Sequence, residues 1–228
     1  FLLLVAAAAG GFYWLLLHPE RLIERAAALQ GVALRVEKAD LGLAAGKFSL
    51  TGVKVTKAPG MERGMTVFVP KIEASVSPPP ALSLGWRPQA LAVSVEEISA
   101  QRNGVEAKVS RVLLDSRKGS LRILGLSVSN PPDFPPGFFA RLPEISATGD
   151  PQDLAAGKLR LKELRLNLSE ASLVRNKAGQ LNSDLVVEAL TGPPAKSQSK
   201  TDFHVDRMLL SMGKLQYKDL SKFGLGVS

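Results

Sequence analysis

The chain has 228 residues, of which 45 % are hydrophobic and 22 % charged, so it carries enough apolar material to form a core and is not a disordered chain. It contains no cysteine, which excludes disulfides, thiolate metal sites and cysteine nucleophiles. The formal net charge of +8 favours anionic partners such as lipid head groups. The basic residues are spread along predicted strands rather than gathered in one tract, and we predict no nucleic-acid partner.

The first 17 residues, FLLLVAAAAGGFYWLLL, carry no charge. As a helix they would span about 25 Å, slightly less than the ~30 Å hydrocarbon core of a bilayer. Phe12, Tyr13 and Trp14 resemble an interfacial aromatic belt, and His18 and Pro19 end the apolar run. A cleaved signal peptide is the alternative, but no Ala-x-Ala site precedes Pro19. The sequence therefore predicts a retained transmembrane anchor over residues 1–18.

A short membrane-proximal helix is predicted over residues 19–30. Pro19 suits the first turn of a helix, and Gly31 suits its end. Leu22, Ile23, Ala26 and Ala27 recur at helical spacing along one face.

From Gly31 onward the chain repeats itself at an offset of 73 residues, which is the distance from Gly31-Val32 to Gly104-Val105. GKFSLTG at 46–52 returns as GSLRILG at 119–125, and VPKIEA at 69–74 returns as LPEISA at 142–147. A partial third copy begins with VDRMLL at 205–210, which resembles VSRVLL at 109–114. Repeated supersecondary units indicate stacked elements with a binding surface rather than one enzyme-like core. We predict a first β repeat at 31–103, a second at 104–190, a linker at 191–201 and a partial third at 202–228.

Within the repeats, apolar residues alternate with polar ones, as in half-buried strands. Each strand also shifts phase by one residue, for example from Val69 to Ile72 and from Val95 to Ile98. A shift of one residue would send every later side chain to the opposite face unless the backbone bulges or coils there. We therefore predict a mainly β fold, a curved antiparallel sheet with a bulge or sharp coil in each long strand.

Two proline-containing loops, at 58–64 and 130–139, occupy equivalent positions in the first two copies. The second is a candidate recognition loop, although a plain strand connection is the alternative. Its candidate residues are Asn130, Pro131, Pro132, Phe134, Pro135 and Pro136. A short helix is predicted at 180–190, where Asn182 or Ser183 can cap it and Leu185, Val186 and Leu190 share one side.

One apolar face of such a sheet must be covered by another sheet, a helix, another subunit or lipid. We predict that this face includes an apolar lane that occurs once in each repeat. Its residues are Leu91, Val93, Val95, Leu164, Leu166 and Leu168.

Residue patterns for catalysis are weak. His18 and His204 lie far apart in the sequence, and adjacent strand residues such as Glu96 and Glu97 point to opposite faces, which is wrong for a carboxylate pair. We find no Gly-x-Ser-x-Gly motif and no phosphate-binding glycine motif. The sequence predicts no enzyme, no catalytic residues, no metal site and no cofactor.

The second copy resembles the AsmA-like family of bacterial envelope proteins. The resemblance rests on Asn130-Pro131, on Leu164 and Leu166 in a strand, and on a turn that contains Gly179 and Asn182. The resemblance implies a single-pass anchor in the bacterial inner membrane and a curved β-groove in the periplasm that serves lipid transport or outer-membrane assembly. Larger members resemble the eukaryotic bridge-like lipid-transfer proteins, so the implied partners are lipid acyl chains. The alternative is a structural subunit of a larger envelope complex, with other protein subunits or further copies of the chain as partners.

Overall fold

The computed structural model describes residues 19–29, 31–58, 61, 64–77, 90–150, 159–191 and 203–221. The predicted anchor at residues 1–18 lies outside the described residues, as does almost all of the predicted linker at 191–201. Among the helices formed by the described residues, none has both the length and the apolar content needed to cross a bilayer.

The described residues are mainly strands, with two short helices. The helices are α1 (Pro19–Leu29) and α2 (Asn182–Thr191), and a 3-10 turn covers Leu43–Ala45. The first strands are β1 (Ala33–Arg35), β2 (Lys38–Gly42), β3 (Lys47–Lys57), β4 (Thr66–Ser77) and β5 (Ala90–Arg102). They are followed by β6 (Val105–Asp115), β7 (Ser120–Ser129), β8 (Phe138–Gly149), β9 (Leu159–Arg175), β10 (Phe203–Val205) and β11 (Met208–Asp219).

All eleven strands form one sheet. β1 and β2 both pair with β3, and β10 and β11 both pair with β9, so eleven strands fill nine neighbouring positions. Pairing is antiparallel from β1 to β9, as predicted, but β10 and β11 run parallel to β9. The prediction of a purely antiparallel sheet is therefore wrong at this edge. The physical reason is that α2 lies between β9 and β10, and a connection through a helix can return the chain in the same direction.

The repeat at 73 residues is visible in the backbone. Gly46 and its equivalent Gly119 have φ of 61° and 59°, and Gly52 and Gly125 have φ of 63° and 65°. Val76 N donates to Gly46 O at 2.8 Å, and one repeat later Gly149 N donates to Gly119 O at 2.8 Å. The two copies therefore share turns and hydrogen bonds as well as sequence. The third copy differs, because residues 208–219 form one uninterrupted strand.

The predicted phase shifts coincide with one line that crosses the whole sheet. At this line the pairing between neighbouring strands is interrupted, and it resumes beyond the line in the same register. Both strands of each pair are therefore interrupted at directly opposite residues. This is the predicted sharp coil rather than a bulge, since a bulge in one strand alone would shift the register. A register shift does occur in β8 at Thr148–Gly149, opposite the shift from Leu161 to Leu164 in β9. We call the line the break line, and its residues are Glu37, Gly52, Pro70, Glu97, Ser110, Gly125, Pro143 and Leu168.

The residue types on the break line suit a backbone that must turn there. Gly52, Glu97 and Gly125 have positive φ, a conformation that glycine adopts without steric cost. Pro70 and Pro143 have no N–H group to donate to a neighbouring strand. Both lie where the pairing between strands is interrupted, so no such hydrogen bond is needed there. Because each strand turns over at this line, its apolar residues stay on the same face on both sides.

Both helices pack on that apolar face. Ile23 of α1 contacts a cluster centred on the buried residues Val36, Val53 and Val69. Val186 and Ala189 of α2 pack with Val105 and Val128. α1 ends at Leu29, and Gly31 N donates to Ala28 O at 3.0 Å with φ of 76° at Gly31, as the glycine predicted.

Candidate functional site: an apolar sheet face

Two rows of apolar side chains cross all nine positions of the sheet in direct register. Row 1 is Ala39, Leu50, Ile72, Val95, Val112, Ile123, Ile145, Leu166 and Leu210. Row 2 is Leu41, Phe48, Ala74, Val93, Leu114, Leu121, Ala147, Leu164 and Met208. With ~4.8 Å between neighbouring strands, each row is about 38 Å long.

A third apolar row lies on the other side of the break line, and both helices pack against parts of it. Row 3 is Leu34, Val55, Val67, Ala100, Ala107, Val128, Ala140, Ala171 and Leu215. The α1 cluster includes members of rows 1 and 3, such as Leu50 and Val55, which places both rows on one face. Rows 1 and 2 are mostly half-buried, and Leu210 and Met208 at their ends are 58 % and 59 % exposed. The apolar face is therefore only partly covered by described residues.

The predicted lane residues lie in these rows or next to them. Val95 and Leu166 belong to row 1, and Val93 and Leu164 belong to row 2. Leu91 pairs with Val76 beyond row 2, and Leu168 pairs with Met212 at the break line. The lane predicted twice in the sequence is thus part of a face that extends through every strand between its two copies, which sequence alignment of the repeats did not reveal.

The opposite face is charged, and its charges pair with one another. Arg111 donates to Glu96 at 2.7 Å, and Arg122 donates to Glu144 at 2.9 Å. A hydrogen bond from Lys71, 2.7 Å away, and the attraction of the same ammonium hold the pKa of Glu73 below its usual value. The same contact raises the pKa of Lys71. The paired side chains are about half exposed, so this face is solvated, and pairs of this kind contribute little to stability.

A cavity of about 830 Å³ lies on this charged face. Its lining comes from β2 to β7 and contains Ala92 and Leu113 beside Lys47, Lys118 and Arg122. Four residues of row 2 also border the cavity. Each of them lies between two charged-face residues of the same strand, because side chains alternate between the faces along a strand. The cavity is open to solvent, and its lining by consecutive strands of one sheet means that the sheet bends toward its charged face at this end. No pattern in the sequence indicates this cavity.

The candidate recognition loop makes its main contacts inward. Asn130 Nδ2 donates to Pro135 O at 3.0 Å, and Asn130 Oδ1 accepts from Asn182 Nδ2 at 2.9 Å. Phe134 is 6 % exposed and Pro131 is also buried, whereas Pro132 and Pro136 are exposed. The geometry therefore favours the alternative, a strand connection fixed to the body of the sheet.

Asn182 is the centre of this arrangement. It is fully buried, and its Nδ2 also donates to Ser172 O at 2.7 Å while its Oδ1 accepts from Val174 N at 2.9 Å. The predicted capping role is thus replaced by a link between α2, β9 and the loop. At the other end of α2, Arg102 Nη1 donates to Glu188 O and Ala189 O, both at 3.2 Å, where a cation stabilises a helix C-terminus.

The free edge of the sheet is a feature that sequence reasoning missed. β11 pairs with β9 on one side, and no described strand pairs with its other side. Met212, Leu215 and Tyr217 are 53 %, 56 % and 61 % exposed. The signal was present in the sequence as a helix and a linker between β9 and the third copy, since these indicate a crossover to the edge rather than a hairpin.

Groups suited to catalysis do not come together in the described part of the chain. His204 Nε2 lies 3.0 Å from Asp206 Oδ1 on the exposed β10–β11 segment, and His18 lies outside the described residues. Glu96 pairs with Arg111, while Glu97 is exposed on the break line. Within the ranges that the structure describes, no cluster of His, Asp and Glu could hold a metal ion.

No protein-family model matches the chain, and no curated protein or solved structure is similar enough to count as a relative.

Proposed function

We propose that the protein is a non-enzymatic, membrane-anchored protein of the bacterial cell envelope, with most of the chain in the periplasm, that holds lipid acyl chains on its apolar sheet face. The observation that carries this proposal is the pair of apolar rows that run unbroken across nine strand positions, opposite a charged face. An acyl chain covers half of a ~30 Å hydrocarbon core, or about 15 Å, so two could lie end to end along a row of about 38 Å. The apolar run at residues 1–17 and the resemblance to the AsmA-like family support a location at the inner membrane.

Lipids that co-purify with the full chain, measured by native mass spectrometry, provide the test. Val112 and Leu113 are neighbours on β6 and are both half-buried, but Val112 belongs to row 1 and Leu113 lines the charged-face cavity. We expect Val112→Glu to lose most of the bound lipid, because a carboxylate would have to be desolvated against acyl chains. Leu113→Glu should keep it. Absence of lipid from the wild-type protein, or equal loss in both variants, would refute the proposal.

A milder pair guards against misfolding. Ile123 lies in row 1 and Leu124 lies next to it on the charged face, opposite Arg111 and Glu144. Ile123→Ser should reduce bound lipid more than Leu124→Ser, with circular dichroism used to check that both variants remain folded.

A second candidate function is that of a structural subunit in a larger envelope complex. The exposed apolar side chains of β11 favour it, because a long edge strand with unpaired backbone groups is a ready site for another strand. Native mass after gentle extraction separates the two functions, since a structural subunit should be recovered with another protein and an acyl-chain carrier with lipid.

A further inference from the structure

The two edges of the sheet are protected to different extents. The first edge is short and interrupted, because β1 and β2 are separated at Val36 and Glu37. There α1 also supplies a partner, since Val36 N donates to Glu24 Oε1 at 2.9 Å. The last edge is β11, a strand of 12 residues without proline. Its pairing with β9 continues on both sides of Gly213, so its outer backbone groups form a long row that no described strand or helix pairs.

The side chains of β11 extend the apolar face to its boundary. Met208, Leu210 and Leu215 are the last members of rows 2, 1 and 3. Each is more than half exposed, as is Tyr217. In every earlier strand, each row residue lies opposite an apolar residue of the next strand. In β11 the row residues have such a neighbour among the described strands only on the β9 side.

The charges of β11 indicate which kind of strand fits. Its basic residues are Lys214 and Lys218, and Arg207 directly precedes it. Its one acidic residue is Asp219 at the C-terminal end, where the carboxylate accepts hydrogen bonds from Ser221. Arg207 lies 3.6 Å from Glu163, but neither Lys214 nor Lys218 forms an ion pair with a described residue. Lysine on an edge strand discourages pairing with strands of like charge and leaves an acidic strand as the favourable neighbour.

A second copy of the chain is a poor neighbour for the same reason. If its first strand continued the rows, with Leu41 opposite Met208, then Arg35 of that copy would lie directly opposite Lys214. If instead two copies of β11 paired about a two-fold axis, with Leu210 opposite Leu215, then Arg207 would lie opposite Lys218. Like charges directly opposite each other destabilise strand pairing.

We propose that β11 is the docking edge for an acidic β-strand of a different protein, which pairs with it in antiparallel orientation and extends the sheet. The partner strand would place apolar residues opposite Met208, Leu210, Leu215 and Tyr217, and carboxylates opposite Lys214 and Lys218. This inference deepens the structural-subunit function by naming its partner class, and it does not depend on acyl-chain binding.

The test uses the full chain and two fluorescein-labelled peptides with blocked ends. The acidic peptide, EVTVESGTVTV, has the required spacing, and the basic peptide, KVTVKSGTVTV, differs only in its two charged residues. Fluorescence anisotropy should show that the acidic peptide binds at least about tenfold more tightly, because two favourable surface charge pairs replace two repulsive ones. Bound acidic peptide should slow hydrogen exchange at residues 208–217.

Two double variants make the result specific. Lys214→Glu with Lys218→Glu should reverse the preference between the two peptides. Arg35→Glu with Lys38→Glu changes the formal charge by the same amount on the opposite edge and should leave both affinities within about twofold, because these sites lie far from β11. All four sites are exposed, so the fold should persist in both variants.

The proposal is overturned if neither peptide binds, if both bind equally, or if both double variants lose affinity for the acidic peptide to the same extent. It is also overturned if protection from exchange appears away from β11, or if wild-type copies associate through β11 and exclude the peptide. Lipid content measured in the same samples separates this result from the acyl-chain proposal, because the variants of Val112 and Ile123 leave β11 unchanged.

Discussion

Asn182 Nδ2 donates a hydrogen bond of 2.9 Å to Asn130 Oδ1, across 52 residues of chain. The bond joins two of the motif positions on which the AsmA-like resemblance rests, one just after β7 and one at the start of α2. The sequence shows why each residue suits its own turn, but not that the two side chains meet, because the meeting depends on how β8 and β9 position the loop and the helix.

We expect Asn182→Ala to destabilise the protein by about 3 kcal/mol, because it leaves buried partners on β9 and the loop without a hydrogen bond. Asn130→Ala removes one of the three hydrogen bonds of Asn182 and the bond from Asn130 to Pro135 O, and it should cost about 2 kcal/mol. Urea denaturation measures both. Lys177→Ala, in the exposed turn before α2, is the control and should leave the midpoint unchanged. Equal effects of Asn182→Ala and Lys177→Ala would contradict the role of Asn182.

The break line predicts different costs for glycines of similar backbone conformation. Gly125 has φ of 65°, and the Ser110 hydroxyl occupies the place where a Cβ on Gly125 would stand. Gly179 has φ of 83° with nothing within 4 Å of that place. Gly179→Ala should therefore cost about 1 kcal/mol from backbone strain alone. Gly125→Ala should cost clearly more, and Ser110→Gly should recover part of the difference. Thermal unfolding of the three variants measures this, and equal costs at Gly125 and Gly179 would argue against close packing at the break line.

At Glu97 on the break line, one substitution can distinguish the effect of backbone strain on stability from a role of the carboxylate in activity. It has φ of 53°, which strains any residue other than glycine. Glu97→Gly should therefore raise the free energy of unfolding by up to about 1 kcal/mol, whereas Ser94→Gly on the same strand should lower it. Loss of activity in a complementation assay with Glu97→Gly would show that the carboxylate has a role beyond the backbone.

These features show how far sequence reasoning reached. The phase shifts from Val69 to Ile72 and from Val95 to Ile98 predicted where the strands coil, because side-chain alternation is a local property. The equivalence of Gly52 and Gly125 predicted the repeat in the same way. The direction of β11 and the cavity beside Leu113 were missed, because both depend on how distant strands are arranged. The pairing of Asn130 with Asn182 is non-local for the same reason.

Acid should weaken the junction between β9 and β11. A hydrogen bond from Arg165 and the charges of Arg165 and Arg207 hold the pKa of Glu163 below its usual value of 4.5. A lowered pKa contributes stability that is present above pH 4.5 and is lost as the pH falls through the lower value in the folded state. Wild-type protein should therefore be more stable than Glu163→Gln at about pH 7, and the difference should shrink as the pH falls below 4.5. Urea midpoints measured across this range test it, with Glu188→Gln on the exposed side of α2 as the control. A difference that stays constant with pH would contradict the ion pair.

A final prediction separates the apolar face from the charged face within one strand. Leu166 lies in row 1 between Ile145 and Leu210, whereas the next residue, Asn167, is exposed on the charged face opposite Glu144. Leu166→Asp should destabilise the protein or abolish complementation, because the carboxylate must be desolvated at a cost of a few kcal/mol whether protein or an acyl chain covers the row. Asn167→Asp adds the same charge one residue away and should cost at most about 1 kcal/mol, because it meets only the exposed Glu144 across the strands. Urea denaturation and a complementation assay together show which occurs. A protein that tolerates Leu166→Asp but fails with Asn167→Asp would move the functional surface to the charged face and its cavity.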